Sequence, residues 1–295
     1  MSRGPEGDRE PLSSTTFQRL GSIPASRLIE ARLELHFAAQ ALAAAGASLV
    51  PVRPDDSHTS LTFWAGALHT EALAGTALRA KLRIPELDLS IDDHAGTAPI
   101  VLAGLTLDQT LERLRDALAT ALDRPVAQLA RPGYEMPSHA LGTGARFGTP
   151  DAAALAELER WFANAAIVLE GIRARTPGAG PVRCWPHHFD IATLIALGES
   201  KKGAARSVGV GMSPGDAAYP EPYFYIAPWP RPKGVDLPDL PSGAHWHSEG
   251  FFAAVLTKDA LTSAPSGLEQ RRRLDAFFGT TIPAAKALAG RGARA

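Results

Sequence analysis

Segments that read as β-strands come in two unbroken series, one between residues 60 and 102 and one between residues 182 and 256, and this ordering constrains the fold more than any motif does. In the first, Ser60 to Leu68 and Ala77 to Ile84 are strand candidates. Leu87, Leu89 and Ile91 alternate with Asp88, Ser90 and Asp92, and Pro99 to Leu102 is a further apolar run. The second consists of Val182 to Leu197, Arg206 to Met212, Tyr223 to Ala227 and Ala244 to Leu256. Strands that follow one another with no helix between them favour antiparallel pairing, so the expected class is α+β.

Helical spacing brackets each series. Ser26 can cap a helix from Arg27 to about Ala45 that Gly46 ends, and Leu28, Leu35, Leu42 and Ala31, Ala38, Ala45 recur every seven residues along it. Leu107, Leu111, Leu114, Leu118 and Leu122 mark a second helix. A third starts at Asp151 and runs to about Arg175, and a last covers about Leu268 to Ala289, where Pro283 can interrupt it. The chain thus divides into two similar halves, each helix – antiparallel strands – helix. A loose echo between Thr59–Leu68 and His188–Leu197 leaves a divergent duplication open. The expected boundaries are a mobile tail over 1–22, an N-terminal half over 23–124, an irregular Gly- and Pro-rich connection over 125–150, and a C-terminal half over 151–295 that holds the candidate site.

Composition narrows the function classes. Of 295 residues, 45% are hydrophobic and 21% charged, enough apolar material for a real core. Thirty basic residues against 31 acidic ones give no electrostatic reason to expect nucleic acid or an anionic membrane as partner. No apolar run reaches the roughly 18 residues of a membrane span, and the charged start lacks a signal-peptide core. Cys184 is the only cysteine, so no internal disulfide can form, and a cytoplasmic, bacterial-type protein is expected. Gly209 and Gly211 open a GxG pair, but Pro214 occupies the third glycine position of a dinucleotide loop, and no Walker-type lysine follows. There is no nucleotide motif.

The chemistry-bearing residues concentrate in Trp185-Pro-His-His-Phe-Asp190 and His245-Trp-His-Ser-Glu249. Read as a strand, the second places His245, His247 and Glu249 on one face, with residues two apart separated by about 7 Å. Two imidazoles and a carboxylate at that spacing can hold zinc, iron or manganese. The same parity groups His188 with Asp190. The expectation is therefore one divalent metal ion held by His245, His247 and one of Glu249 or His188, with Asp190 or Glu221 as orienter or general base in an enzyme acting on a small molecule. His58, His139, His187, Tyr223 and Tyr225 are candidate site lining. Downstream of both segments each strand parity turns apolar (Ile191, Thr193, Ile195 against Ala192, Leu194, Ala196; Phe251, Ala253, Val255 against Phe252, Ala254, Leu256), which predicts strands covered on both faces with polar ends lining a cleft. Three other readings stay open. The polar residues can form a structural hydrogen-bonded network. They can also hold an organic ligand without metal, together with Trp185, Trp229 and Trp246. Finally, Cys184 can act with His188 and Asp190 as a hydrolase or transferase nucleophile.

Pro54–Thr59, Arg183–Asp190, Ser207–Asp216 and Glu221–Tyr225 resemble an uncharacterised bacterial family, related to a domain-of-unknown-function group with an HFFWGSFDLA-like strand and a YPEP segment. The resemblance spans most of the chain from about residue 27. It implies one continuous architecture and no agreed activity. The chain departs from the related pattern at His187 and His188, where that pattern is aromatic and Ser-rich.

Overall fold

Antiparallel pairing governs both sheets of the computed structural model, which describes residues 16–92, 96–131, 133–199, 205–241 and 243–291. The fold is α+β and each half repeats the order helix, antiparallel strands, helix. The first runs α1 (Ala25–Leu49), β1 (Thr62–Trp64), β2 (Ala67–His69), β3 (Ala80–Arg83), β4 (Asp88–Ile91), β5 (Ile100–Val101) and α2 (Leu107–Ala121), with its strands in sequential order. The second runs α3 (Ala152–Arg175), β6 (Arg183–Trp185), β7 (Asp190–Glu199), β8 (Ala205–Ser213), β9 (Tyr223–Trp229), β10 (His245–His247), β11 (Ala253–Thr257), α4 (Lys258–Thr262) and α5 (Gly267–Arg291). Its sheet has the order β10-β11-β9-β8-β7-β6, so β11 inserts between β9 and β10. No helix among the described residues is long and apolar enough to cross a membrane.

One apolar core runs through both halves. Leu35 and Leu42 of α1, Leu82 and Leu89 of the first sheet, Phe162 of α3 and Val210 and Phe224 of the second sheet all belong to it. Only one face of the six-stranded sheet meets this core: Trp161 of α3 and Phe278 of α5 both pack on Phe224. Among the described residues no helix covers the opposite face, which holds the candidate site.

Several sequence expectations change at turns. Ser60–Leu68 is the hairpin β1–β2, closed by Ala65 and Gly66, both at positive φ. Val182–Leu197 splits into β6 and β7 around the turn Pro186–Phe189, and Ala244–Leu256 splits into β10 and β11 around residues 248–252. Turns of only four or five residues, Pro-His-His-Phe and Ser-Glu-Gly-Phe-Phe, leave each run looking continuous. Pro283 lies inside α5 without ending it; it and Gly279, whose carbonyl it leaves unpaired, are both exposed, so water can serve that carbonyl.

The expected mobile tail over 1–22 is not met where it can be followed. Residues 1–15 lie outside the described residues, but Gln18 exchanges two hydrogen bonds with Asn164, Leu20 pairs with Gln270, and Gly21 donates to Glu157. The connection over 125–150 is irregular as expected, apart from a 3-10 turn at Ala140–Thr143. It is tied to α1 through Tyr134–Gln40, Gly148–Glu34 and His139–Glu30.

α1 begins after Pro24 rather than at a Ser26 cap, and Gly46 does not end it. Gly46 stays inside the helix, and the 57–59 turn packs so closely on it that an added Cβ would sit 2.7 Å from the His58 carbonyl oxygen. Alanine is the better helix former by about 1 kcal/mol, yet Gly46→Ala is expected to destabilise the protein. Gly279→Ala, on the exposed face of α5 with nothing within 4 Å of the new Cβ, is expected to stabilise it. Denaturant unfolding of the two variants should give opposite signs.

Candidate functional site

Strand β8 alternates Val208-Gly209-Val210-Gly211. Its valines and Met212 point into the core, so its glycines fall on the open face. Gly211 stands opposite Tyr225 of β9, whose ring lies across the sheet over the glycine stripe. A Cβ on Gly211 would come within 2.6 Å of the Tyr225 hydroxyl, whereas one on Gly209 would find its nearest neighbour at an ordinary 3.8 Å. Lying over that gap, Tyr225 reaches β7 and donates its hydroxyl to Asp190 Oδ2. Asp190 is only 9% exposed, and its Oδ1 has no partner among the described residues. Burial pushes its carboxyl up, against the pull of the Tyr225 hydroxyl and of His188. Burial and the neighbouring carboxylate likewise push the Tyr225 phenol well above its usual range.

The polar path continues towards the far edge of the sheet. Tyr223 donates to Asp216 Oδ2 at 2.5 Å, while Asp216 Oδ1 accepts from the Ala218 and Tyr219 amides at 2.8 and 2.9 Å. That turn holds Tyr219 so that its hydroxyl lies 2.7 Å from His245 Nε2 and 3.0 Å from His247 Nδ1 on the edge strand β10. The other nitrogen of His247, Nε2, is 2.6 Å from the Glu249 carbonyl oxygen, and Phe251 packs on the His247 ring. The open face thus carries two polar groups, Asp190 with Tyr225 and Asp216 with Tyr223, Tyr219 and the β10 histidines, which meet where the Tyr223 and Tyr225 rings lie 6.2 Å apart.

Helix α1 holds the near end in place. Arg32, His36 and Gln40 recur every four residues on a helix whose other buried residues, apart from Glu34, Phe37 and Gly46, are Leu and Ala, and all three are buried. Arg32 donates to the Gly215 carbonyl, and the His36 ring and the Gln40 amide both meet the Pro186 carbonyl. Burial holds His36 down at about 4, so the ring is neutral near pH 7 and Nε2 donates to the carbonyl. Phe189, at positive φ in the 186–189 turn, stacks on His36 with ring centroids 4.9 Å apart.

The expected site residues disperse accordingly. His188 is exposed at the turn beside His187, whose ring also meets Tyr134. Glu249 lies past the end of β10 and contributes its backbone carbonyl, not its carboxylate, to His247. His188, His245, His247 and Glu249 therefore do not gather at one point. Among the described residues no three His, Cys, Asp or Glu side chains form a group that could hold a metal. His58 accepts from the Arg53 amide in its own turn, and His139 caps the Ala140–Thr143 turn. Leu194 is 56% exposed, so β7 is covered on one face only along its middle. Cys184 faces the core, fully buried, which pushes its thiol well up and removes the thiolate a nucleophile needs.

Glu221 forms an ion pair with Lys258. Both line a cavity of about 220 Å³ whose walls are Tyr219, Pro220, Pro222, Tyr223, Thr257 and Asp259. Arg32, His36, Gln40 and Lys258 were not anticipated; the first three carry a readable signal, a polar row at helical spacing in an apolar helix. Against protein-family models, curated proteins and solved structures, the chain finds no match.

Two outcomes test this geometry. Gly211→Ala is expected to push Tyr225 off Asp190 and cost about 1–3 kcal/mol of stability as overpacking, while Gly209→Ala is tolerated; denaturant unfolding measures both. His36 has a folded-state pKa of about 4, below its unfolded value of about 6.5. The unfolded chain therefore binds more protons in that window, and the stability tied to a neutral His36 is lost as pH falls from about 6.5 to about 4. His36→Gln should flatten that decline by up to roughly 3 kcal/mol, read from unfolding curves taken at each pH.

Proposed function

We propose that the protein binds a small polar molecule in the cavity beneath the Tyr219–Tyr223 segment, without needing a metal there. The observation that supports this reading most is the cavity itself, which places the Lys258 ammonium and the Glu221 carboxylate together beside two tyrosines. Its volume of about 220 Å³ falls below the range of drug-sized pockets and suits a metabolite of about a dozen heavy atoms or fewer. The paired charges offer a ligand both an ammonium and a carboxylate to replace, so small carboxylates and amino acids are the favoured class. Tyr223, braced by Asp216, supplies a rigid wall. A larger opening of about 590 Å³ lies between Gln18–Ser22 and Arg160, but hydrogen bonds to α3 and α5 already occupy much of the strap's backbone there. The single buried cysteine suits a reducing, cytoplasmic setting.

A thermal-shift screen of small carboxylates, amino acids and sugar phosphates tests the reading. A ligand at 100 times its Kd stabilises by about 2.7 kcal/mol, and Lys258→Met should abolish that gain while leaving the unliganded fold intact by circular dichroism. Failure of every compound at millimolar concentration, or undiminished binding to Lys258→Met, would reject it.

A further inference from the structure

We propose that Tyr219, His245 and His247 form a site for one late first-row divalent cation, zinc or copper(II), with Tyr219 Oη, His245 Nε2 and His247 Nδ1 as its ligands. The site shares Tyr219 with the wall of the cavity, but neither Lys258 nor Glu221 takes part.

Three observations converge on it. First, antiparallel register fixes the two histidines: His245 pairs with Val255 and His247 with Ala253, so both rings leave the same face of β10. Second, both rings turn a nitrogen on a single atom, at 2.7 and 3.0 Å. Donors each about 2.1 Å from a tetrahedral ion stand roughly 3.4 Å apart, so the Tyr219 hydroxyl has to draw back by about 0.7 Å from His245 Nε2 and about 0.4 Å from His247 Nδ1. His245 is exposed on an edge strand and Tyr219 is in a loop, so both can yield that much.

Third, the proton inventory suits a ligand. A carbonyl oxygen only accepts, so His247 Nε2 carries the hydrogen that meets the Glu249 carbonyl, and Nδ1 presents a lone pair. A backbone carbonyl on the far nitrogen is the arrangement that orients metal-bound histidines and fixes their tautomer. Tyr219 then donates its hydroxyl to His247 Nδ1 and accepts from His245 Nε2. When the cation enters, His245 moves its ring hydrogen from Nε2 to Nδ1, and Tyr219 releases its hydroxyl proton to solvent. The Asp216 turn and the Phe251 contact hold Tyr219 and His247 ready, so little ordering is left to binding. Two nitrogens and a phenolate oxygen suit zinc and copper(II) better than magnesium or calcium. Water would complete the coordination, as in zinc sites with three protein ligands.

The test uses untagged full-length protein and the metal ion alone. Equilibrium dialysis with zinc should show one equivalent bound to the wild type. His245→Ala, His247→Ala and Tyr219→Phe should each weaken binding at least tenfold, with the fold retained by circular dichroism. Glu249→Gln and His188→Ala should bind as the wild type does. With copper(II), a phenolate-to-metal charge-transfer band should develop and vanish in Tyr219→Phe. The proposal is overturned if no stoichiometric zinc binds at micromolar concentration, if Tyr219→Phe binds normally and keeps the band, or if His188→Ala or Glu249→Gln abolishes binding.

Discussion

The row of hydrogen bonds from Arg32, His36 and Gln40 to the carbonyls of Gly215 and Pro186 is the constraint on which the site depends. α1 is buried on nearly every side, so these side chains have no water to fall back on, and a buried donor left unpaired costs about 1–3 kcal/mol. Satisfying them requires the 186–189 turn and the 213–215 segment to approach α1 together. Those same segments carry His187, His188 and Asp190 on one side and lead into Asp216 and Tyr219 on the other. A helix of the first half thereby positions the polar end of the sheet in the second.

The open face follows from a second constraint, the absence of side chains on one stripe of β8. Tyr225 can lie flat only because Gly211 offers no Cβ, and lying flat is what brings its hydroxyl to Asp190. Beside the Tyr225 ring a second polar group follows: Tyr223 takes one oxygen of Asp216, the Tyr219 amide takes the other, and the Tyr219 hydroxyl meets two imidazoles. The aromatic rings also substitute for a helical layer, since Tyr223, Ala253 and Val255 are buried on this face with Tyr219, Tyr225 and Phe251 packed around them. The face is thus apolar enough to be stable and polar enough to present a site.

Much of the architecture was legible beforehand. The Leu spacing of α2, the start of α3 after Asp151 and the antiparallel class all follow from local periodicity, which neither half can override without exposing apolar area. The strands were read too long because their turns lack strong Gly-Pro or Asn-Gly signals. Pro186-His-His-Phe189 turns on a phenylalanine at positive φ, a conformation that stacking on His36 supports from outside the segment. Of the candidate site, Asp190, Tyr223, Tyr225, His245 and His247 were visible as residue types, and the pairing of Tyr223 with Tyr225 and of His245 with His247 on one face of each strand was visible as parity.

Local pattern by itself determined the helices, the antiparallel class and the one-sided placement of His245 with His247, because each of these is set within a few residues of chain. Tertiary structure alone decided which groups meet. His188 and Glu249 were separated from the β10 histidines by turns that end their strands, and Tyr219 was brought to those histidines across 26 and 28 positions of sequence by an aspartate-held loop. Contacts over such separations depend on strand order and on what a buried helix must satisfy, and neither is written in any one segment.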